Sequence, residues 1–525
     1  MKEKETDGEK IIEITWLPCS LEEDAEDGLA ECGTAEIPLF WEEDDERTVT
    51  VGAKRWLAGR GGRAQLWLIQ GGPGASGTMT FTPFMRVLRE AMPDVDLYTI
   101  DHRGVGYSSH LSCPDQEAEE SEGGAYIYTS EWDDCIAWLV ENLGDELQAY
   151  STTNAAHDLA AFIDATREEG KPVFVWGGSY GTYLTQRYLL LHPDQADGAI
   201  LDSIHSINVP AIEFSHWRNE NGKELLQRCS GDPFCMDQFE ISAWRTLNDL
   251  YRKFEFGHCS DLQVDKYLAS YLLGWLAWYS PYNAAVPALL YRLDRCSYDD
   301  MLAVVYMWDN LFNGTGDLLG ITGGWWSQVL NANIAFSDSY WSDEYDDVDM
   351  EAYFTDLMDE VLIGDISTME GYEFYRRWPR YDEPRANELP ATNIPVLMLQ
   401  GELDGSTPLA QADILGQTLV GEHQHYLVFP NSAHGVVNDS WVSEYFETTT
   451  CGLTILAAFI EDPTAEIDAS CIDGTLPVDF TGVPGLAEYV FGTVDLWENS
   501  MDKRVMPPAG KSIRPLIRPD FLFQP

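Results

Sequence analysis

Apolar residues follow two rhythms that alternate along most of this chain. Short, nearly unbroken apolar or β-branched runs at Gln65–Ile69, Asp96–Ile100, Val173–Trp176, Gly198–Asp202, Ile394–Leu399 and His425–Phe429 predict buried strands. Between them, Thr152–Arg167, Thr182–Leu191 and Leu409–Leu419 repeat apolar positions at helical spacing, with Ala155, Leu159, Phe162 and Ile163 on one face of the first. Runs at Ile11–Leu17, Ala35–Phe40 and Thr48–Val51 predict an antiparallel start. Strands that alternate with helices predict an α/β fold, a mostly parallel sheet with helices on both faces. From about Val209 to Pro390 the strand signals vanish. Helical runs such as Val264–Tyr279 and Ala285–Tyr306, rich in Trp and Tyr, take over. A helical block inserted between two strands of such a sheet predicts a cap over its C-terminal edge. The expected division is residues 1–208 and 391–525 for the α/β body and 209–390 for the helical cap. Beyond Cys471 the chain is proline-rich and irregular, and its basic tail is expected to pack on the body.

The 525 residues are 45% apolar, enough for a large packed core. Charge narrows the partners: 88 acidic against 32 basic residues give a net charge of −56. Such a chain repels nucleic acid and anionic lipid, and the basic stripe that either requires is missing. The acid load suits a soluble secreted protein, high-salt habitats included, and attracts cationic ligands. No stretch is long and apolar enough to predict a membrane span. Met1–Lys10 lacks the apolar core of a signal peptide. The ten cysteines nevertheless fall as neighbouring couples in separate segments, and no Cys/His cluster has metal-site spacing. They predict the disulfides Cys19–Cys32, Cys113–Cys135, Cys229–Cys235, Cys259–Cys296 and Cys451–Cys471. The expected setting is secreted or periplasmic, with a leader already removed. A reduced cytosolic chain with buried thiols is the alternative. The oligomeric state is not fixed by the sequence, and a monomer is the default.

Gly177-Gly178-Ser179-Tyr180-Gly181 matches G-x-S-x-G between a predicted strand and a predicted helix. Glycines there allow a sharp turn that lifts a strained serine above the sheet, although an ordinary β–α turn reads the same way locally. A serine nucleophile needs a base and a group to orient it. Asp404, in Asp404-Gly405-Ser406-Thr407-Pro408, and His434, in Ser432-Ala433-His434-Gly435, each follow a predicted strand. Together the three stand in the order Ser, acid, His. Taken singly, Asp404 reads equally as a turn aspartate and His434 as a surface-loop histidine. Glu402 is the competing acid. Donors for an oxyanion are expected from the backbone N–H of Tyr180 and of Gly72, with Gly71 second, in the loop Gln70-Gly71-Gly72-Pro73-Gly74. That loop lacks the pattern of a phosphate cradle.

These motifs, with Asp101-His102-Arg103-Gly104-Val105-Gly106-Tyr107-Ser108, resemble the prolyl iminopeptidase family of α/β-hydrolases, most of all its secreted tripeptidyl aminopeptidase-like branch. The branch resembles this chain also in its cysteine-bearing N-terminal strand segment, the Tyr150-Ser151-Thr152-Thr153 helix start and a cysteine-bearing C-terminal region. The resemblance spans residues 30 to 470 and is loose over the cap. It departs at Gln70, where many members have His, and at His102, where Gln is frequent. It implies a serine exopeptidase with no metal or organic cofactor, cleaving one or a few residues from a peptide with a free N-terminus. A carboxylesterase using the same triad is the alternative, since related members include esterases. An aminopeptidase also needs a carboxylate for the substrate's ammonium. Asp338 is the first candidate, placed where the family often carries an acid after a small-residue helix. Glu213 and Glu220 beside Trp217 follow, and a solvated surface role is the plain alternative for each. Trp275, Trp278, Trp325, Trp326 and Trp378 suit an apolar pocket or helical-core packing equally.

Overall fold

The computed structural model describes residues 12–498 apart from 23–24, 43–44, 208, 279, 312–324, 340–344, 346, 365–367, 444–448 and 484. Its frame is a nine-stranded sheet in the order β1-β2-β3-β5-β4-β6-β7-β8-β9. The strands are β1 (Thr15–Cys19), β2 (Ala30–Pro38), β3 (Thr48–Trp56), β4 (Ala64–Ile69), β5 (Val95–Ile100), β6 (Val173–Gly178), β7 (Gly198–Asp202), β8 (Val396–Gly401) and β9 (Gln424–Phe429). The first three pair antiparallel, and β3 joins β5 antiparallel. From β5 to β9 all pairings are parallel. All residues of β4, β5, β7 and β8 are buried, which is why their sequences read as continuous apolar runs rather than alternating ones. The order sets β4 beside β6 in the middle of the sheet. The glycine loop after β4 therefore lies next to the Ser179 turn after β6.

The inserted segment is helical, but its packing does not follow its limits in sequence. Helices between Phe214 and Leu311 build a separate core around Leu226, Leu247, Leu272, Leu289 and Met307. Phe480, Leu486, Val490, Phe491 and Trp497 from the far end of the chain complete that core. Arg292, fully buried in the cap, donates to the carbonyls of Leu496 (2.9 Å) and Glu498 (3.0 Å) and so stitches this segment down. The second half of the insertion, with Leu330, Phe336, Phe374 and Trp378, joins the core of the body.

Two sequence expectations are corrected. The region beyond Cys471 is not wholly irregular, since Leu486–Phe491 is a helix. The expected helix over Ala285–Tyr306 is two helices, Ala285–Arg295 and Tyr298–Leu311. Cys296 between them adopts φ 46° and is tied to Cys259, and the Ser297 hydroxyl accepts from the Asp300 N–H to start the second helix. Between Leu293 and Met301 only Cys296 and Tyr298 are apolar, and the Ser297-x-x-Asp300 spacing marks the second start. The basic tail beyond residue 500, the first eleven residues and Tyr279 lie outside the described residues.

All ten cysteines pair as expected, Cys19–Cys32, Cys113–Cys135, Cys229–Cys235, Cys259–Cys296 and Cys451–Cys471. Among the described residues no helix is long and apolar enough to cross a membrane.

Candidate active site

β6 ends at Gly178, and the helix Tyr180–Leu191 begins two residues later. Ser179 alone makes the turn, at φ 56° and ψ −128°, a region that a residue with a β-carbon occupies only under strain. Two glycines make the turn possible. A β-carbon on Gly177 would meet the Gly181 carbonyl at 2.2 Å, and one on Gly181 would meet the Ile69 carbonyl at 2.2 Å. At Gly178 there is open space, so that glycine is not sterically required. The Ser179 N–H donates to the carbonyl of Asp202 at the end of β7 (3.0 Å), which pins the turn to the next strand.

The loop after β4 approaches Ser179 closely. A β-carbon on Gly71 would lie 2.8 Å from that of Ser179. The Gly71 N–H is occupied, donating to Gln70 Oε1 at 2.7 Å. Gly72 N–H has no acceptor among the described residues, and Tyr180, first in its helix, has no intrahelical one. Gln70 thus helps to shape the loop. Two segments brace it. Asp101 accepts from Ser76 Oγ (2.7 Å), Thr78 Oγ1 (2.6 Å) and the Tyr107 N–H (2.8 Å). From the insertion, Ser327 N–H donates to the Gly74 carbonyl (2.9 Å) and Asn331 Nδ2 to the Pro73 carbonyl (2.7 Å), while Trp326 stands against Gly72. Arg103, fully buried, donates to Asp158 and to the carbonyls of Leu39 and Ala149. His102 is half-buried, its Nδ1 donating to the Arg103 carbonyl, and desolvation pushes its pKa down to about 4.

Asp404 and His434 come together: His434 Nδ1 lies 2.9 Å and 3.0 Å from the two Asp404 oxygens. Asp404 is fully buried and also accepts from the N–H groups of Ser406 (2.9 Å) and Thr407 (2.7 Å) and from Thr407 Oγ1 (2.9 Å). Burial alone would raise its pKa, but His434 and these donors outweigh it and hold the carboxyl below its ordinary value. For His434 burial works downward, and Asp404, with Asp202 and Asp439 behind it, reverses the effect and raises the pKa. Asp404 fixes the tautomer with Nδ1 protonated, leaving Nε2 as the acceptor. Glu402, the competing acid, turns away to Arg228 at 3.2 Å. The His434 N–H reaches the cap at the Trp278 carbonyl, 3.4 Å away.

The three candidate amine ligands do not gather. Asp338 is buried beside the helix that Ser179 opens, with Oδ2 accepting from the Thr152 N–H (3.1 Å) and Oδ1 from Tyr381 (2.7 Å). Burial and the neighbouring Glu383 raise its pKa to about 6, against the pull of Arg187, which pairs with Glu383 at 2.9 Å. Glu213 accepts from Tyr345 (2.6 Å) and Trp217 (3.3 Å) in the cap. Glu220 faces outward and pairs with Lys223 at 3.2 Å. Of the tryptophans, Trp275 belongs to the cap core and Trp378 to the body core. Trp278 and Trp326 abut the base loop and the glycine loop. Among the described residues no group of three or more His, Cys, Asp or Glu is arranged to hold a metal.

The contact of Trp326 with Gly72 and the placement of Asp202 and Asp439 behind His434 leave no local signal in the sequence. Asp202 at a strand end was legible, but its partner lies over two hundred residues away.

The family model for the alpha/beta hydrolase fold matches residues 66–294. Tripeptidyl aminopeptidase of Streptomyces coelicolor is 27% identical over 208 residues, 36% of this chain and 38% of that protein. Serine protease Hip1 of Mycobacterium tuberculosis is 27% identical over 216 residues, 38% of this chain and 41% of that protein. The match thus spans less than half the length of either relative. Among solved structures, proline iminopeptidase of Mycobacterium smegmatis covers 82% of this chain and 98% of its own, at 11% identity and a TM-score of 0.38. A central parallel sheet with a strained serine elbow after β6, together with the match over residues 66–294, gives this chain the α/β-hydrolase fold, and part of its length is similar to serine peptidases of the tripeptidyl aminopeptidase type.

Proposed function

We propose that the protein is a secreted serine exopeptidase, an aminopeptidase that acts through Ser179, His434 and Asp404. The observation that carries the chemistry is the His434–Asp404 pair, 2.9 Å apart, with the His434 loop bonded to the strand end that anchors the Ser179 elbow. In this reading Ser179 Oγ attacks the scissile carbonyl and His434 Nε2 takes its proton, while Asp404 stabilises the imidazolium. The N–H groups of Tyr180 and Gly72 receive the oxyanion. The imidazolium then protonates the departing amine. Water enters, gives its proton to His434, and releases the acyl group by the reverse route.

The peptidase specificity draws on the partial similarity to the tripeptidyl aminopeptidase of Streptomyces coelicolor. Asp338 ranks ahead of Glu213 and Glu220 as the acid for the substrate's ammonium. Its carboxyl and that of Glu383 face the guanidinium of Arg187, two acids against one cation, close to the Ser179 helix. An added ammonium balances that cluster. Secretion is supported by the disulfides, which persist in oxidising compartments. A matched pair of chromogenic peptides, free and blocked at the N-terminus, tests the reading. The free peptide is expected to be cleaved and the blocked one spared; equal cleavage of both overturns the aminopeptidase in favour of an esterase-like hydrolase. In Asp338→Asn, kcat/KM is expected to fall for the free peptide with little change for a small neutral ester. Equal losses on both would give Asp338 a structural role, and no loss would move the amine site to Glu213 or Glu220.

A further inference from the structure

The loop that carries His434 is held by more carboxylate than a triad requires. Asp202 closes β7 and is 2% exposed. Its carbonyl accepts the Ser179 N–H at 3.0 Å, and its Oδ2 accepts the Val437 N–H at 3.1 Å. Ser203 beside it accepts the N–H of Gly435, the residue after His434, at 2.7 Å. The other oxygen, Asp202 Oδ1, is buried with no hydrogen-bond partner among the described residues. On the other flank Asp439 Oδ2 accepts the Ala433 N–H at 2.7 Å and a hydrogen bond from Ser280 of the cap.

We propose that Asp202 is a positioning residue that links nucleophile and base, fixing Ser179 through its carbonyl and the His434 loop through its carboxyl, and sets a second negative charge behind the imidazolium. The inference rests on the Ser179–His434–Asp404 reading. Burial pushes the Asp202 carboxyl up to about 7 while a charged His434 pulls it down, so the two groups titrate over the same range, and Asp404 and Asp439 also face the pair. Asp404 orients the ring and is saturated with donors, whereas Asp202 touches only the loop backbone and keeps one oxygen free. When His434 takes the Ser179 proton, that proton stays on Nε2. Asp202 accepts none; in its ionised form, which the imidazolium favours, it acts through its charge.

The test reads the rate at which a phosphonylating reagent labels Ser179 across pH, so that no knowledge of the natural substrate enters. Asp202→Asn retains an oxygen for the Val437 N–H but loses the charge. The acid limb of the labelling profile is expected to move toward lower pH by about half a unit, with the plateau rate falling about ten-fold. Asp439→Asn is the comparison for a lost loop charge. An acid limb that stays in place in Asp202→Asn, whether or not the rate falls, means a purely structural residue and overturns the proposal. Should that variant fail to fold, the His434 Nδ1 proton resonance of the unmodified protein decides. A second inflection from the Asp202 titration is expected, and a single-step curve overturns the proposal. Unlabelled Ser179 in the unmodified protein, or full labelling in His434→Ala, would remove the triad reading itself and the proposal with it. An unmoved acid limb with labelling intact removes the proposal alone.

Discussion

Trp326 fills the space that a side chain on Gly72 would need: a β-carbon there would lie 2.8 Å from the indole and 2.9 Å from the Gly74 nitrogen. Gly72 also has φ 110°, a conformation that L side chains rarely adopt. Gly72→Ala is therefore expected to displace the loop and cost about 10²–10³ in kcat, the range for one oxyanion donor. Gly178→Ala, with open space around it, is the control expected to stay within a few-fold of the parent. Steady-state kinetics on both variants checks this, and equal losses would remove Gly72 from the oxyanion site.

Ser179→Ala is expected to abolish turnover, by roughly a million-fold, while leaving folding intact. The residue sits at a turn whose strain does not come from its hydroxyl. A serine-directed phosphonate should label the parent at Ser179 and leave the variant unlabelled. Activity above a few per cent in a clean preparation overturns the assignment.

pH dependence follows from the sign of the His434 shift. In the proposed mechanism His434 must be neutral to accept the Ser179 proton, and its pKa is raised because Asp404 outweighs burial. The acid limb of kcat/KM is therefore expected above about 6.5, the ordinary histidine value. Removing the charge in Asp404→Asn disfavours the imidazolium, so the limb should move down in pH while kcat falls about 10⁴-fold. A limb that does not move would separate Asp404 from the base.

The disulfide Cys259–Cys296 closes a loop across the cap, with a sequence separation of 37. The chain-entropy model gives about 4 kcal/mol for a loop of that size. Replacing both cysteines by serine should lower stability by that order in denaturant unfolding. Labelling of Ser179 under native conditions should persist, because the elbow belongs to the sheet. Unchanged stability would mean that cap packing alone sets the loop.

The sheet, the serine elbow and the His434–Asp404 pair were legible because each depends on neighbours in sequence: apolar runs that end in glycine turns or polar loops. Glu402 competes with Asp404 in the sequence; in the structure Glu402 pairs with Arg228, whereas Asp404 meets His434. What stayed hidden depends on distant partners or local backbone signs. The left-handed Cys296, held by a distant Cys259, splits the helical run into two helices. Asp338 reads as one acid among 88, and only packing gives it Tyr381, Glu383 and Arg187 as surroundings. Asp202 looks like a plain strand end until the Val437 N–H is brought to it.

The residues from Phe480 to Trp497 complete the hydrophobic interior of the helical insertion from almost three hundred positions downstream of its start. The insertion is consequently not a transferable cassette. A chimera that exchanges residues 209–390 for those of another hydrolase would leave Trp497, Phe491 and Val490 facing a foreign surface, and the excised piece would carry an open apolar wall. Recombination at this fold's borders has to move two separate stretches of chain at once, the insertion helices and the segment from Phe480 to Trp497.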